Sequence, residues 1–413
     1  MILAAKCIKW VFLLISSTIF FHYSFPSLFP TLKKMAPHKL CMIPGPIEFH
    51  EDVLAAMSTP ATSHVDPNFV PIFGESIEMV RKVILGENAQ PFIVSGSCTL
   101  GWDMMVNLLE QGDEVLALNT GYFGDHFSEC LEIYGAKITT LRAEVGSRPT
   151  NDALKEALSS GKKYKMVAVT HVDTSTGVLS DIKAIAETVK SISPETLVVV
   201  DGVCSVGSEE IRFDEWKLDI VISGSQKGLG VPPGLSVVVA SQQALKVFET
   251  RQSPIVSYYS NWNKWLPIMQ AYESRKPAYF ATPAVQLIYA LHASLKAITS
   301  QPMETRFEKH RAISSKFRQT IHGLGLKTVA QCEECSANGM TAVWLPEGIE
   351  IPQLVPALAN KGVQIAGGIL NGLAGKYFRI GHMGISVTEP ERGHMDKVVE
   401  ALTESLTELG YKA

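Results

Sequence analysis

Seven short apolar runs, rich in β-branched residues and separated by amphipathic stretches, occupy residues 90–241 and leave few folds open. The runs lie at 91–94, 114–118, 136–141, 166–171, 197–201, 220–223 and 235–240. Between them, helical spacing of apolar residues is found at 100–109, 127–134, 151–159 and 181–189. Strands alternating with helices of this length predict an α/β fold, with a mostly parallel seven-stranded sheet covered on both faces. Val198-Val199-Val200 and Val237-Val238-Val239 lack polar alternation, as strands buried on both sides do.

Beyond this region the order of elements changes. Helical patterns at 289–299 and 304–326 precede short strands at 341–345, 363–366 and 377–380, and an amphipathic stretch at 389–409 closes the chain. That order predicts a smaller C-terminal α+β domain at 303–413, beside a large domain with an N-terminal arm at 35–302. With 413 residues, 46% of them hydrophobic, the chain can bury a sizeable core and is not intrinsically disordered. A net charge of −4 provides no basic field to attract nucleic acid.

Residues 1–34 are set apart. They carry four lysines (Lys6, Lys9, Lys33, Lys34), no acid, and an apolar core from Trp10 to Phe21 that is too short to span a bilayer, which takes about 20 residues. Lys6 and Lys9 ahead of the core imitate a signal peptide; the Ser/Thr content without acids imitates a mitochondrial presequence. An upstream extension ahead of Met35 is the other reading. The C-terminal Tyr411-Lys412-Ala413 does not match the Ser-Lys-Leu peroxisomal address, so mitochondrial, peroxisomal and cytoplasmic placements stay open.

Two strand ends carry the strongest chemical signal. Asp201 closes the 197–201 run, and Lys227 follows the 220–223 run inside Ser223-Gly224-Ser225-Gln226-Lys227. In a parallel sheet, functional side chains gather at the C-terminal ends of strands. Alone, Asp201 reads as a helix cap or a loop-satisfied carboxyl, and Lys227 as a solvated lysine. Together they suit pyridoxal phosphate, which needs a lysine to hold it covalently and a carboxylate to keep its pyridine nitrogen protonated.

On these segments the chain resembles the class V aminotransferases, which are fold-type I pyridoxal-phosphate enzymes. Over nearly all of residues 40–410 it is most similar to their alanine–glyoxylate (serine–pyruvate) branch in its fungal form. The resemblance implies that Ser95-Gly96-Ser97 and Gln226 bind the cofactor phosphate. It places Phe123 flat on the ring, where many relatives have Trp, and Val203 on the opposite face. It assigns Thr174, in His171-Val172-Asp173-Thr174-Ser175-Thr176-Gly177, to the phenolic oxygen. Tyr279 and Thr282 would reach the phosphate from a neighbouring subunit, which implies a homodimer with shared active sites. Arg379 would bind the substrate carboxylate with its two-pronged guanidinium, and Gly45, in Ile43-Pro44-Gly45-Pro46, would line the substrate entrance. Taken singly, these residues also read as a cap, core packing, local loop packing or a surface arginine.

The implied reaction is pyridoxal-phosphate-dependent transamination of a small amino acid, L-alanine or L-serine, with glyoxylate or pyruvate. Lys227 and Asp201 are its catalytic residues. The alternative is a lyase or cysteine desulfurase on the same fold. Desulfurases place His before the lysine and His on the ring, whereas Gln226 and Phe123 stand at those positions. Seven cysteines at this length fit reduced thiols better than a disulfide framework. The single Cys332-Glu333-Glu334-Cys335 motif has no second pair for zinc and reads as two incidental loop thiols, so no metal is expected.

Overall fold

The computed structural model describes residues 38–412; the 1–34 segment with its targeting reading, and Met35, lie outside the described residues. All seven runs form one sheet. In space its order is Gln90–Ser95, Leu235–Ala240, Ile220–Gly224, Leu197–Asp201, Met166–Thr170, Glu114–Asn119 and Lys137–Arg142. Only Leu235–Ala240 runs antiparallel, against both of its neighbours. The four central strands from Leu235–Ala240 to Met166–Thr170 are buried at every position, which explains their unbroken apolar sequence. The edge strand Lys137–Arg142 has no buried residue and keeps Lys137, Thr139, Thr140 and Arg142.

Two departures from the sequence reading have local causes. The 100–109 helix is instead one α-turn, Leu100–Asp103, followed by a 3-10 turn, Met104–Asn107. Buried Asn107 tightens it: its Nδ2 donates to the carbonyls of Met104 (2.7 Å) and Ser260 (2.8 Å), and its Oδ1 accepts from Trp262 N (2.8 Å). The 363–366 strand splits in two. Val363–Gln364 pairs in parallel with Leu40–Cys41, and Ala366–Gly367 pairs with Tyr377–Gly381.

Helices missed in the sequence include Phe69–Ile84 and Trp262–Glu273. One apolar core surrounds the large sheet and reaches Phe307. A second gathers Leu40 and Met42 with Phe317, Ile321, Val343, Phe378, Ile380 and Leu402. Among the described residues, no helix is long and apolar enough to cross a membrane.

Candidate active site

Parallel strands deliver their C-terminal ends to one edge of the sheet. Asp201 pairs in register with Ile222 on the neighbouring strand, and Lys227 follows that strand's end, so the two side chains leave the same edge. Lys227 is 9% exposed, and its Nζ donates to the carbonyl of Pro44. Gly45 sits against it with φ +108°, and a Cβ there would fall within 2.6 Å of Lys227 Cε and Nζ. Only glycine suits both the backbone angle and the space. The Met42 carbonyl accepts from Gly381 N (2.7 Å), so this entrance segment is pinned to the end of the Arg379 strand.

Asp201 is 3% exposed, and its Oδ1 accepts from Val203 N at 3.0 Å. Burial pushes its pKa up to about 7, against the pull of the Val203 N–H and the Lys227 charge. A buried carboxyl so poorly supported in its charged form is a ready partner for a cationic N–H.

Behind the Gln90–Ser95 strand, the turn differs in detail from the expectation. The Gly96 N–H donates to the Gly234 carbonyl (2.9 Å), and Ser95 Oγ accepts from Ala284 N (2.9 Å). The amides of Ser97 and Cys98 carry no hydrogen bond among the described residues. The following helix has only four residues, so its dipole adds little, and the free amides are what this turn offers to an anion. Gln226 is brought to this turn, its Oε1 accepting from Cys98 Sγ at 3.1 Å.

Phe123 lies half-buried in the first turn of Tyr122–Ile133. The residue that holds it there is Asp173, which the sequence reading left without a role. Asp173 is fully buried, and its Oδ2 accepts from Phe123 N and Gly124 N, both at 3.1 Å. Its Oδ1 accepts from Ser175 N (2.9 Å) and Ser175 Oγ (2.6 Å). Burial raises its pKa, and the four donors to one carboxylate counter only part of that rise. The available signal was an Asp two residues before a Ser, the pattern of an Asx turn.

Arg379 stands on the central strand of a three-stranded sheet, paired with Ala342 on one side and Ala366 on the other. It is 8% exposed, its Nε donating to the Gly367 carbonyl (2.8 Å) and its Nη1 to the Thr174 carbonyl (3.1 Å). Among the described residues no carboxylate pairs with it. Thr174 is itself buried, and Val203 is half-buried beside Asp201. Tyr279 and Thr282 stand apart: Tyr279 is 63% exposed with its ring 4.9 Å from that of His64, and Thr282 is exposed.

The thiol reading of Cys332 and Cys335 is corrected. The two are joined as a disulfide across a 3-10 turn, because the tight turn brings residues three apart within bonding reach. Cys335 packs by the Gly146 carbonyl, and the neighbouring Glu333 pairs with Arg318, away from Lys227. No cluster of metal-ligating side chains occurs among the described residues.

The family model for aminotransferase class-V matches residues 44–373. The chain belongs to the class V aminotransferase family. The aminotransferase is 40% identical to alanine–glyoxylate aminotransferase 1 of Saccharomyces cerevisiae over 86% of its own length and 94% of that protein's. It is 31% identical to a serine–glyoxylate aminotransferase of Methylorubrum extorquens, over 83% and 85% of the two chains. Its fold superposes on ureidoglycine–glyoxylate aminotransferase of Bacillus subtilis with a TM-score of 0.83 at 31% identity, covering 92% and 96% of the chains. A cysteine desulfurase of Thermococcus onnurineus shares the fold alone, at 14% identity and a TM-score of 0.65 over 86% and 92% of the chains. The aminotransferase thus has the α/β architecture of fold-type I pyridoxal-phosphate enzymes.

Proposed function

We propose that this aminotransferase moves the amino group of a small amino acid, L-alanine ahead of L-serine, to glyoxylate, giving glycine and, from alanine, pyruvate. Pyruvate is the second candidate acceptor. The observation that carries the reading is Arg379: a buried guanidinium, oriented by two carbonyls and lacking a carboxylate, matches the one group that every amino acid and 2-oxo acid shares. The crowding of Gly45 against Lys227 favours a small substrate. The named relatives differ in amino donor and share glyoxylate.

The residues fit pyridoxal phosphate as cofactor. Asp201 offers a buried carboxyl for a protonated ring nitrogen, and the free Ser97 and Cys98 amides with Gln226 offer a phosphate cradle. When bound, the cofactor supplies an electron sink that makes the substrate Cα–H acidic. Lys227 would hold the cofactor at rest and, once freed, would carry the proton from Cα of the amino donor to the cofactor and, in the second half-reaction, back to Cα of the oxo acid. Asp201 keeps the ring nitrogen protonated. Phe123 and Val203 would cover the two faces of the ring, Thr174 would bond its phenolic oxygen, and Arg379 would orient the substrate carboxylate. Ser95 and Gly96 shape the phosphate turn. Exposed Tyr279 and Thr282 reach the phosphate in a second copy of the chain; exposed Val256 and Tyr258 support such a contact.

The test is a spectrum of purified protein loaded with pyridoxal phosphate. An absorbance at roughly 410–430 nm marks the lysine-linked cofactor. L-Alanine should abolish it with release of pyruvate, and glyoxylate should restore it with formation of glycine. Sulfide release from L-cysteine, without conversion by L-alanine, would favour the desulfurase reading instead.

A further inference from the structure

Arg306 lies on the helix Met303–Gly323, outside the residues assigned above. Its Nε donates to the Gly207 carbonyl at 2.6 Å, and its Nη2 to the Gly228 carbonyl at 2.9 Å. Gly207 belongs to the loop that begins at Asp201, and Gly228 directly follows Lys227. One guanidinium therefore grips the two loops that carry the two catalytic residues.

The loops also touch each other. A Cβ on Gly207 would lie 2.8 Å from the Gly228 oxygen, and a Cβ on Gly228 would run into the Val206 carbonyl. Such a backbone contact excludes side chains and depends on something that holds both carbonyls. The fixed fork of a guanidinium can hold two acceptors at a set separation, which an ammonium cannot.

Arg306, like Arg379, is held by carbonyls, and it differs in its partners from the ion-paired arginines. Arg318 pairs with Glu333, Arg212 with Glu210 and Glu304, and Arg392 with Glu51 and Glu389. Arg306 has no hydrogen-bonded carboxylate among the described residues. Burial lowers its pKa to about 10, against the pull of Glu389, so it stays charged at neutral pH. Arg306 is half-buried, and a guanidinium held by carbonyls without an ion pair contributes little to stability by itself.

Resting on the transamination reading above, we infer that Arg306 is a positioning residue that fixes the separation of the Asp201 and Lys227 loops. It thereby sets where the Lys227 amine stands relative to the carboxylate on the far side of the cofactor ring. Arg306 touches neither substrate nor cofactor.

The experiment uses full-length protein loaded with pyridoxal phosphate and compares Arg306→Lys and Arg306→Met with the parent. Both side chains are shorter, and Arg306 borders a cavity of about 280 Å³, so neither meets a steric barrier. Lysine keeps the charge with one prong and methionine removes both, so the loss should be graded. We expect kcat for the alanine–glyoxylate reaction to fall by about tenfold for lysine and by more for methionine. The KM of either substrate should stay within about threefold, because Arg379 is untouched. The affinity for pyridoxal phosphate, read by fluorescence titration, should weaken, and the 410–430 nm band should change in position or intensity in parallel.

A lowered Tm with unchanged kcat per bound cofactor, unchanged affinity and an unchanged band would overturn the inference and leave Arg306 a purely structural residue. A rise in KM with kcat intact would overturn it too, placing the effect on Arg379. Should the methionine variant not fold, the lysine variant decides alone. If the parent protein forms no band with pyridoxal phosphate, the transamination reading itself has failed, and this inference with it. A parent with normal band and turnover beside unaffected variants would sink the inference only.

Discussion

Arg379 is tied to Thr174: its Nη1 donates to the Thr174 carbonyl at 3.1 Å, across 205 residues of sequence. Thr174 belongs to the loop that Asp173 anchors under Phe123, so the residue assigned to the cofactor's phenolic oxygen also aims the substrate arginine. A disturbance of this loop should therefore reach cofactor and substrate together.

Arg379→Lys should raise KM for the amino donor and for the oxo acid alike, by about tenfold or more. A lysine ammonium cannot reproduce the fork that spans Gly367 and Thr174 while still facing a carboxylate. The 410–430 nm band should persist, because the cofactor contacts are unchanged. Steady-state kinetics on both half-reactions checks this; an effect confined to one of them would contradict a shared carboxylate site.

Replacement of Lys227 by alanine should abolish both turnover and the band, with the fold intact by circular dichroism. Its Nζ leaves no stabilising ion pair behind, only a hydrogen bond to Pro44. Activity above a few per cent of the parent, in protein shown free of host aminotransferases, would remove Lys227 from its role.

Gly45→Ala should lower activity more than stability. The new methyl group overlaps Lys227 Cε and Nζ, and the φ of +108° is strained for alanine by about 1–3 kcal/mol. We expect a displaced Lys227, read as a weakened band, with a fall in Tm of a few degrees, as for a loss of about 1–3 kcal/mol in a chain of this size.

Asp201→Asn should nearly abolish turnover, since an amide holds no pyridine proton. The cofactor-free proteins give a second, independent readout. The Asp201 pKa is raised from 3.8 to about 7, so its folded form holds a proton that the unfolded form releases. That contribution to stability is complete below pH 3.8 and is lost as the pH rises through about 7. Relative to the parent, cofactor-free Asp201→Asn should therefore gain stability from pH 5 to pH 8, measured as the Tm difference. Glu209, also raised to about 7 by burial, titrates in the same window, and the comparison subtracts it. A Tm difference flat in pH would show Asp201 ionised throughout.

Asp173→Ala removes the acceptor of four hydrogen bonds and leaves buried N–H groups at Phe123, Gly124 and Ser175 unpaired. We expect a loss of about 3 kcal/mol or more, together with weaker cofactor affinity as the Phe123 turn loosens. Urea unfolding and a cofactor titration measure the two effects; normal affinity at reduced stability would confine Asp173 to structure.

The large sheet was legible because a parallel sheet covered on both faces demands continuous apolar strands, and Val198–Val200 and Val237–Val239 supply them without ambiguity. Asp201 stood out because it closes such a strand, and Lys227 because it follows the end of the next one, Ile220–Gly224. Phe69–Ile84 was equally readable, with Phe69, Phe73, Ile77, Val80 and Ile84 on one helical face, yet it was missed. Other features depend on partners that are distant in sequence and carry no local signal. Asn107 breaks its helix through Ser260 and Trp262, and Gly45 earns its place only because Lys227 arrives beside it. Local periodicity determines which segments become strands, since each must bury its own apolar side chains. Where Arg379, Thr174 and Asp173 meet is decided by hydrogen bonds between loops that only the packed sheet brings within reach.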